Sequence, residues 1–523
     1  MNSQSPSSDS QLIRSSRENI GPDDSRYADL NRKGFNKRFE GKPDYFRLVS
    51  STADVVNAVQ HAVDNNLRLA VRSGGHCLEN FVSNADVRVV IDTSQMTSVT
   101  WDFNMKAFAI EAGTTLGEMH RKLFIGWNVV LPVGQSPDIG IGGHALGSAF
   151  GFLHREHGLA VDFLYAIELV HVDRDGTARS VIATREANDP NRDLWWAHTG
   201  CGGGNFGIVT RYWFRANDAE GSDATRALPR APESVVTREA EWNWDDVNES
   251  AFTTLIRNYG TWCEQNADAN SSYATMFSVI SAPCQGQGQG QGQGKGKVEL
   301  RAMSIAGASA EQQIDAHFAA IGAGVGKAHI GDAQRMSWLT FAVNPFPDLY
   351  AINPGGTAAS PAKVKIKDAL LKQRHTDTQI AIMYEYLTRD AKVGGSVGFA
   401  TYGGRMNEIA SDATAAAQRA SVMDTSYSAG WMNNDDEARS LQWVRELYRD
   451  LFAETGGVPV PNSQTEGAII NHPDSDIASA DWNTSGVSFG TIYYGDNYAR
   501  LRQVKATWDA RNVFHHALSI ELP

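Results

Sequence analysis

One short stretch constrains the fold of this chain more than any other: the apolar run LAVR at residues 69–72 breaks directly into Ser-Gly-Gly-His. A glycine pair after a strand lets backbone N–H groups approach a ligand closely, and successive amides in such a turn form a concave site for phosphate oxygens. His76 would stand at the edge of that turn. Because a Gly-Gly-His sequence is most often only a turn, its weight comes from two later stretches.

Two more glycine-rich stretches follow, GQSPDIGIGGHALGSAFG at residues 134–151 and GCGGGNFG at residues 200–207, the second leading into an alternating strand. So many glycines indicate backbone that lies against a flat or phosphorylated ligand. Gly140, Gly142 and Gly143 partly imitate the dinucleotide fingerprint, with Asp162 about twenty residues later. No long apolar parallel strand precedes them and the third fingerprint glycine is displaced, so a nicotinamide-binding Rossmann fold is the less favoured alternative.

Length and charge limit the class of protein. A chain of 523 residues predicts two or more domains, and a formal net charge of −13 without a basic stretch argues against a nucleic-acid or anionic-membrane partner. No apolar run is long enough for a secretory signal or a membrane span, which predicts a cytoplasmic protein. The four cysteines, and the histidines at residues 154–157 and 515–516, lack the spacing of disulfide frameworks or zinc sites, so no metal is predicted.

Hydrophobic periodicity predicts alternating strands and helices in the first part of the chain and a second group of elements after the acidic linkers that begin near residue 218. A Gln-Gly repeat at residues 285–294 is predicted to form a surface loop. The predicted strands are residues 42–49, 68–71, 87–92, 107–111, 298–304, 378–386 and 397–402, and the predicted helices are residues 51–63, 115–124, 242–263, 310–321, 436–455 and 496–508.

Three motifs together carry a resemblance to a known family. RSGGH at residues 72–76, GIGGH at residues 140–144 and GGNFGIVT at residues 203–210, followed by YYGDNY at residues 493–498, resemble the berberine-bridge-enzyme-like flavoprotein oxidases of the vanillyl-alcohol-oxidase superfamily. Within that family the chain resembles the bacterial oxidases of secondary metabolism. The resemblance implies an α+β fold, in which a PCMH-type FAD-binding domain is joined to a substrate domain built on an antiparallel sheet covered by helices.

The same resemblance implies the domain boundaries. Residues 1–40 would be a flexible leader and residues 41–217 the FAD-binding domain. Residues 218–465 would form the substrate-binding domain, with a low-complexity loop at residues 285–297. The final segment, residues 466–523, would return to the FAD-binding domain.

The resemblance assigns FAD to the glycine-rich stretches. In the family, the histidine of the first motif is bonded to the flavin 8α-methyl carbon, so His76 is the expected attachment point, and a ring nitrogen is a competent nucleophile at neutral pH. Arg72 would help to neutralise the phosphates. The other residues expected to contact FAD are Ser73, Gly74, Gly75, Cys77, Ser136, Ile139, Gly140, Gly142, Gly143, His144, Gly147, Gly204, Asn205, Gly207, Ile208, Val209, Tyr494 and Asn497.

Three departures from the family pattern affect the expected chemistry. Many members form a second flavin bond through a cysteine in a Gly-x-Cys-Pro stretch, whereas residues 134–137 read GQSP; Ser136 cannot form that bond, so a single histidyl link is predicted. The family's Tyr-x-Asn-Tyr motif is IINH at residues 469–472, which leaves His472 as the candidate base for a substrate hydroxyl. Ile139 stands where the family gates oxygen entry and is larger than valine, which leaves a dehydrogenase with poor O2 reactivity open.

The implied function is FAD-dependent oxidation of an alcohol or sugar carbon of a secondary-metabolite-type small molecule, by hydride transfer to flavin with O2 as the acceptor. Tyr165 is a further candidate for the substrate face, and Tyr384, Tyr386 and Tyr402 are predicted to alternate on central strands, where aromatic rings suit a sugar. One alternative is an enzyme of the same fold that catalyses oxidative cyclisation or desaturation of a polyketide or phenolic substrate. Another is a flavin-binding protein without turnover.

Overall fold

The computed structural model describes residues 19–286, 296–346, 363–390 and 392–523. A four-stranded sheet opens the fold and lies in the order β1-β2-β4-β3 once its strands are numbered along the chain. Its strands are β1 (Asn19–Ile20), β2 (Tyr45–Leu48), β3 (Leu69–Arg72) and β4 (Val89–Asp92). All pairings are parallel except that of β1 with β2, so the carboxyl end of β3, where the first motif begins, lies beside that of β4.

A second, five-stranded sheet is antiparallel throughout. Its strands are β5 (Val99–Asp102), β6 (Ala107–Glu111), β7 (Leu164–Val172), β8 (Ala178–Thr184) and β9 (Ile208–Phe214). They lie in the order β5-β6-β9-β7-β8. The strand that leaves the third glycine-rich stretch, β9, is therefore the central strand, which fixes the preceding loop at the middle of one sheet edge.

The largest sheet has eight antiparallel strands. They are β10 (Ser234–Asn243), β11 (Met276–Pro283), β12 (Lys297–Ile305), β13 (His329–Ile330), β14 (Gln334–Ser337), β15 (Lys363–Leu371), β16 (Gly394–Thr401) and β17 (Met423–Trp431). Their order is β13-β10-β12-β11-β16-β17-β15, and β14 also pairs with β10. Side chains alternate between the two faces of such a sheet, so one face can carry a core and the other a site.

The helices are α1 (Tyr27–Arg32), α2 (Thr52–Asp64), α3 (Leu116–Trp127), α4 (Ile141–His144), α5 (His154–His157), α6 (Arg192–Ala197), α7 (Glu249–Gln265), α8 (Ala310–Gly322), α9 (Trp338–Val343), α10 (Asp377–Arg389), α11 (Glu437–Leu451), α12 (Phe489–Tyr494) and α13 (Tyr498–Trp508). Helix α8 packs on β12, α10 on β16 and α11 on β17, so helices cover one face of the large sheet. The predicted α+β fold is confirmed. Within the described residues, no helix is both long enough and apolar enough to cross a bilayer.

Local signals account for several helix starts. Ser51 caps α2, accepting a hydrogen bond on Oγ from the Asp54 N–H at 3.2 Å. Thr115 and Glu118 form a reciprocal capping box at the start of α3. Both helices begin where their caps predict, because a cap satisfies backbone N–H groups that have no partner within the helix.

Two predicted elements are wrong. Residues 378–386, predicted as a strand, lie in α10, where Thr376 and Gln379 form a capping box and Ile380, Met383 and Leu387 are buried at helical spacing. The predicted helix at residues 242–263 begins only at Glu249, because Trp242 belongs to β10. Short runs rich in β-branched and aromatic residues predict strands poorly when a cap and a 3.6-residue period compete.

The leader also differs from its prediction. Residues 1–18 and residues 287–295 of the Gln-Gly loop lie outside the described residues, but residues 19–40 contain β1 and α1 and pack on the domain that contains the first sheet. The Phe35 N–H donates to the Gly75 carbonyl oxygen at 2.8 Å, in the loop of the first motif. Residues 19–40 are thus part of the domain.

The C-terminal segment packs against the third glycine-rich stretch. Helix α13 lies against α6. From α13, the fully buried Lys505 donates through Nζ to the Asn205 carbonyl oxygen at 2.6 Å and pairs with Asp509 at 2.7 Å. A single buried ammonium group therefore ties the end of the chain to the loop before β9.

A largely buried cluster of six charged side chains, the clamp, joins four parts of the chain, α11 among them through Arg445. Lys365 on β15 contacts Glu79, which follows the first motif, and Asp474 near the C-terminus, with 2.6 Å between Nζ and Oδ1 of Asp474. Lys367 reaches Asp474 at 2.6 Å and Asp476 at 2.8 Å. Three cations oppose three anions, so the charges balance. The clamp consists of Glu79, Lys365, Lys367, Arg445, Asp474 and Asp476.

Removing one cation from the clamp is expected to destabilise the protein strongly. Lys365→Met would leave the buried Glu79 without its ion-pair partner and Asp474 with Lys367 as its remaining lysine, and breaking a buried pair in this way costs about 3–5 kcal/mol. The measurement is the free energy of unfolding in urea at neutral pH. The matched control is Arg257→Met, because Arg257 pairs with Asp377 at the surface, where an ion pair contributes about 0–1 kcal/mol. Equal losses in the two variants would contradict a role for the clamp in stability.

Candidate active site

A cavity of 490 Å³ lies between the glycine-rich stretches and the large sheet. The first two stretches meet backbone to backbone: a Cβ on Gly74 would overlap the backbone of Gly140, and a Cβ on Gly140 would overlap Gly74 in turn. Only glycine permits this approach. Gly143 differs, because a Cβ there would meet no atom within 4 Å, and glycine leaves that space to the cavity that it lines.

His76 lies in the cavity wall with its ring stacked on Phe35, at 4.7 Å between ring centroids. Its Nε2 atom is buried and has no hydrogen-bond partner among the described residues. Burial, with a smaller contribution from the Lys37 cation, lowers the pKa of His76 to about 4. The imidazole is therefore neutral at neutral pH, which is the state that a nucleophilic histidine needs.

Arg72 departs from its expected role. Its guanidinium is buried, donates through Nε to Asp92 at 2.8 Å and donates through Nη1 to the Leu30 carbonyl oxygen at 2.6 Å. Lys33 contacts the same carboxylate at 3.2 Å. The departure is partial: Arg72 anchors the first motif to β4 and α1, but it lines the cavity and its buried Nη2 has no hydrogen-bond partner among the described residues, so a role toward the cofactor stays a prediction.

Most of the predicted cofactor residues do line the cavity. Besides His76 and Arg72, they are Ser73, Gly74, Gly75, Cys77, Ser136, Ile139, Gly140, Gly142, Gly143, His144, Gly204, Gly207 and Val209. Residues from all three glycine-rich stretches are thus brought to one wall.

Five predicted cofactor residues support that wall from behind and do not reach the cavity. The Tyr494 hydroxyl donates to the Cys201 carbonyl oxygen at 2.8 Å, and Asn205 accepts the Ile520 N–H at 2.9 Å. Asn497 donates to the Ser411 carbonyl oxygen at 2.7 Å. These three residues hold backbone segments together, so their assignment to the cofactor is corrected. The other two are Gly147, packed on the side chain of Asn471, and Ile208, which is buried in the core.

The tyrosines predicted for the substrate face do not reach the cavity either. Tyr165 lies under the guanidinium of Arg215, whose Cζ is 3.8 Å from the ring centroid, and Tyr402 lies edge to face with Phe150 at 5.3 Å in a buried cluster. Tyr384 and Tyr386 lie on α10, which covers the opposite face of the large sheet. A catalytic role for Tyr165 or Tyr402 therefore has no geometric support.

The second motif is held in shape by its own histidine. The Gly134 N–H donates to His144 Nε2 at 2.8 Å, and burial, with smaller contributions from nearby histidines, lowers the pKa of His144 to about 3. Cys77, next to His76, donates its thiol to the Glu79 carbonyl oxygen at 3.2 Å, and burial raises its pKa to about 11. Cys77 is thus a thiol at neutral pH, which is the unreactive form.

Three titratable groups meet where the large sheet faces the glycine-rich wall. Asp368 on β15, Asp424 on β17 and His472 bring two carboxylate oxygens and a ring nitrogen within 4.8 Å of one another. Asp368 is 1% exposed and Asp424 is 5% exposed. Oδ1 of each aspartate and Nδ1 of His472 are buried and lack a hydrogen-bond partner among the described residues, although buried polar atoms normally have one. Unpaired atoms at a cavity indicate a ligand that completes them.

Burial separates the protonation states of these three groups. It raises the pKa of Asp424 to about 7, and burial together with the charge of Asp424 raises the pKa of Asp368 well above its ordinary value. Burial lowers the pKa of His472 to about 4. Near neutral pH Asp424 can therefore exchange a proton, Asp368 favours its protonated form more than an ordinary aspartate does, and His472 is neutral, an arrangement typical of a proton-transfer site.

Sequence reasoning missed both aspartates. They lie on two strands that pair only in the folded sheet, where Asp424 is opposite Leu370 and Asp368 is opposite Ser426. The available signal was an acidic residue inside a buried strand, as in KVKIKDALL, since a buried carboxyl group seldom lacks a function or a partner.

Small residues form one part of the sheet face in the cavity, here called the serine floor, beside larger apolar residues such as Val279 and Ile366. Ser281 on β11, Gly398 on β16 and Ser426 on β17 are opposite one another in register. Ser396 and Ser428 form the adjacent pair, with 2.8 Å between their hydroxyl oxygens. All five line the cavity. Each serine hydroxyl can donate and accept, so the floor suits a ligand that carries hydroxyl groups.

Comparisons with known proteins agree with this site. A family model described as an FAD binding domain matches residues 43–181, and one described as berberine and berberine like matches residues 468–521. The aclacinomycin-N/aclacinomycin-A oxidase of Streptomyces galilaeus is 45% identical over 501 residues, which cover 96% of this chain and 89% of the relative.

Solved structures match a similar share of the chain. An aclacinomycin oxidoreductase superposes with a TM-score of 0.91 at 44% identity, covering 97% of this chain and 99% of that chain. A glycopeptide hexose oxidase complexed with teicoplanin gives a TM-score of 0.91 at 43% identity, covering 96% and 98%. Two features of the site fit FAD. The glycines of the cavity wall let a cofactor approach the backbone closely, and Nε2 of His76 has no hydrogen-bond partner among the described residues. The chain belongs to the berberine and berberine-like family of FAD-linked oxidases.

Proposed function

We propose that this enzyme oxidises an alcohol or sugar carbon of a secondary-metabolite-type small molecule. The observation that carries the proposal is the cluster of Asp368, Asp424 and His472, of which Asp424 and His472 line the cavity together with the glycine-rich stretches. An alcohol loses its hydroxyl proton as hydride leaves the carbon, so its oxidation needs a proton acceptor opposite the flavin. The serine floor and the similarity to a glycopeptide hexose oxidase support a sugar-bearing substrate.

Each member of the cluster has a separate role in this proposal. FAD, when bound, supplies the hydride acceptor. Asp424 takes the hydroxyl proton, because a base whose pKa lies near the working pH is the most effective. His472, neutral and with an unpaired Nδ1, holds the substrate hydroxyl, and Asp368, whose carboxyl pKa is raised by burial and by the charge of Asp424, supports Asp424 from beside it. His472 therefore keeps the contact with the hydroxyl that its motif position implies, while the carboxylate serves as the base.

The proposal includes a single covalent link between FAD and His76. One ring nitrogen of His76 forms a bond to the 8α carbon and one C–H bond there is lost. The C–H and imidazole N–H hydrogens, with their electrons, end on O2 as H2O2. The neutral imidazole and its unpaired nitrogen support this assignment. Ser136 lines the cavity but cannot form a thioether, and the Cys77 thiol donates a hydrogen bond to the Glu79 carbonyl oxygen. A second covalent link to the flavin is therefore not expected.

The pH dependence of turnover should report the state of Asp424. Because the acceptor must be ionised, kcat/KM is expected to be low below the apparent pKa near 7 and to rise to a plateau above it. His472, with a pKa of about 4, stays neutral over this range. The measurement is kcat/KM, obtained from initial rates between pH 5 and pH 9 in steps of about half a pH unit. Asp368→Asn is the matched variant: it leaves Asp424 in place as the proton acceptor, so the inflection should remain, and a flat wild-type profile would contradict the assignment.

Anaerobic mixing with panels of saccharides, alcohols and phenols tests the function itself, by following the loss of visible flavin absorbance. We expect hydroxyl-bearing saccharides or alcohols to bleach the flavin and to yield a carbonyl compound or lactone, with H2O2 formed in air. Bleaching only by phenols or polyketides, with cyclised or desaturated products, would favour the alternative chemistry. Bound flavin that no compound bleaches would indicate a protein without turnover.

A further inference from the structure

The segment at residues 30–38, here called the strap, runs alongside the loop that carries His76. The Leu30 carbonyl oxygen accepts from Arg72 at 2.6 Å, and the Phe35 N–H donates to the Gly75 carbonyl oxygen at 2.8 Å. The ring of Phe35 then stacks on the ring of His76. Leu30 and Phe35 of the strap thus contact Arg72 and then Gly75 and His76 of the loop, in the same chain order.

Asn36 fixes the strap on two sides. This residue is 4% exposed, and its Nδ2 donates to the carbonyl oxygens of Leu78 at 2.9 Å and Val364 at 2.8 Å. Its Oδ1 accepts the Val364 N–H at 3.1 Å. The strap is therefore bonded both to the loop after His76 and to β15 of the large sheet, and the adjacent Phe35 ring has little freedom to move.

We propose that the strap positions His76 for attachment to FAD and that Phe35 is the positioning residue. The proposal rests on the covalent link proposed above. His76 follows two glycines, one of them with a φ of +83°, so its backbone restricts the ring less than an ordinary loop would. Because Nε2 makes no hydrogen bond among the described residues, stacking on Phe35 is the contact that defines the plane of the ring. Bond formation needs a defined approach of the two reacting atoms, which a freely rotating imidazole does not provide.

The test separates flavin binding from flavin attachment. Phe35→Ala, Phe35→Leu and Phe35→Tyr are expressed and purified beside the wild type, and total flavin is measured from the visible absorbance of the native protein. The covalent fraction is the flavin that remains with the acid-precipitated protein. Phe103→Ala is the matched control, because Phe103 is 75% exposed.

Phe35→Ala and Phe35→Leu are expected to keep bound flavin while the covalent fraction falls by about threefold or more, since loss of approach geometry slows bond formation steeply. Phe35→Tyr keeps the stacking ring and should match the wild type, as should Phe103→Ala. Phe35→Leu decides the question if the alanine variant does not fold, because leucine preserves most of the side-chain volume. Full attachment in Phe35→Leu would overturn the role of the strap, whereas a wild type without covalent flavin would instead overturn the link on which it rests.

Discussion

A His76→Ala variant is expected to release all of its FAD on acid precipitation, whereas the wild-type pellet stays yellow. His76 combines a place in the cavity wall, a neutral imidazole and a buried nitrogen without a partner among the described residues. Removing the imidazole removes the only nucleophile that the proposal uses, so the covalent fraction should fall to zero. The measurement is the visible absorbance of pellet and supernatant, with the mass of the intact protein as a second readout.

Cys77→Ala provides the control for this result. Cys77 is the adjacent side chain and also lines the cavity, but its thiol donates to Glu79 and its pKa is raised to about 11. The variant should therefore retain its covalent flavin. A colourless pellet from Cys77→Ala, together with a yellow one from His76→Ala, would show that the flavin is bonded to Cys77 and that the assignment to His76 is wrong. A colourless wild-type pellet would show that FAD is held without a covalent bond.

The cofactor side of the site could be predicted from sequence because its requirements are local. Glycines 74 and 140 must be glycine wherever their two loops touch backbone to backbone, and this demand is visible in the motifs themselves. The caps at Ser51 and Thr115 act within one turn of helix, so α2 and α3 could also be located. The caps depend on neighbours in the chain, whereas Gly74 and Gly140 meet across the fold and could be located only because glycine-rich motifs are recognisable in a sequence.

The substrate side could not be predicted in the same way. Asp368 and Asp424 become neighbours only through the register of β15 with β17, and the serine floor needs three strands in register. Because residues 378–386 were wrongly predicted as a strand, Tyr384 and Tyr386 were predicted on the cavity face of the sheet, whereas they lie on α10. Period and propensity do not encode which strands pair, so cross-strand sites escape sequence reasoning unless their residue types are unusual for a buried strand.

The strap is a third kind of case. Its composition is polar and it belongs to the predicted flexible leader, of which residues 1–18 lie outside the described part of the chain, yet Phe35 and Asn36 are buried against the first motif and β15. A polar segment can be ordered when its hydrogen-bonding groups find backbone partners, as Asn36 does at both ends of its amide. Low apolar content predicted flexibility because these partners lie in distant parts of the sequence.

Asp424→Asn is expected to lower kcat by about 10²–10⁴-fold, the usual contribution of a general base. The amide keeps the size of the side chain and removes the acceptor, so bound and covalent flavin should be unchanged. Asp424 is the better candidate than His472 for the base because its pKa, about 7, lies closer to neutral pH than the value of about 4 that burial gives His472. The measurement is the rate of flavin bleaching by substrate without oxygen, which isolates hydride transfer from reoxidation.

Comparing Asp424→Asn with Asp368→Asn shows which aspartate is the base. Both residues are buried, both lie in the cluster, and asparagine has the same size and shape as either. Asp368→Asn leaves Asp424 in place as the proton acceptor, so it should slow bleaching by about tenfold or less, which corresponds to the loss of about one hydrogen bond. Asp424→Asn should also abolish the inflection near pH 7 that Asp368→Asn keeps. If both variants slow bleaching equally, the proton is taken up by the pair as a unit. If Asp424→Asn bleaches at nearly the wild-type rate while His472→Gln does not, the base is His472, as the motif alone predicted.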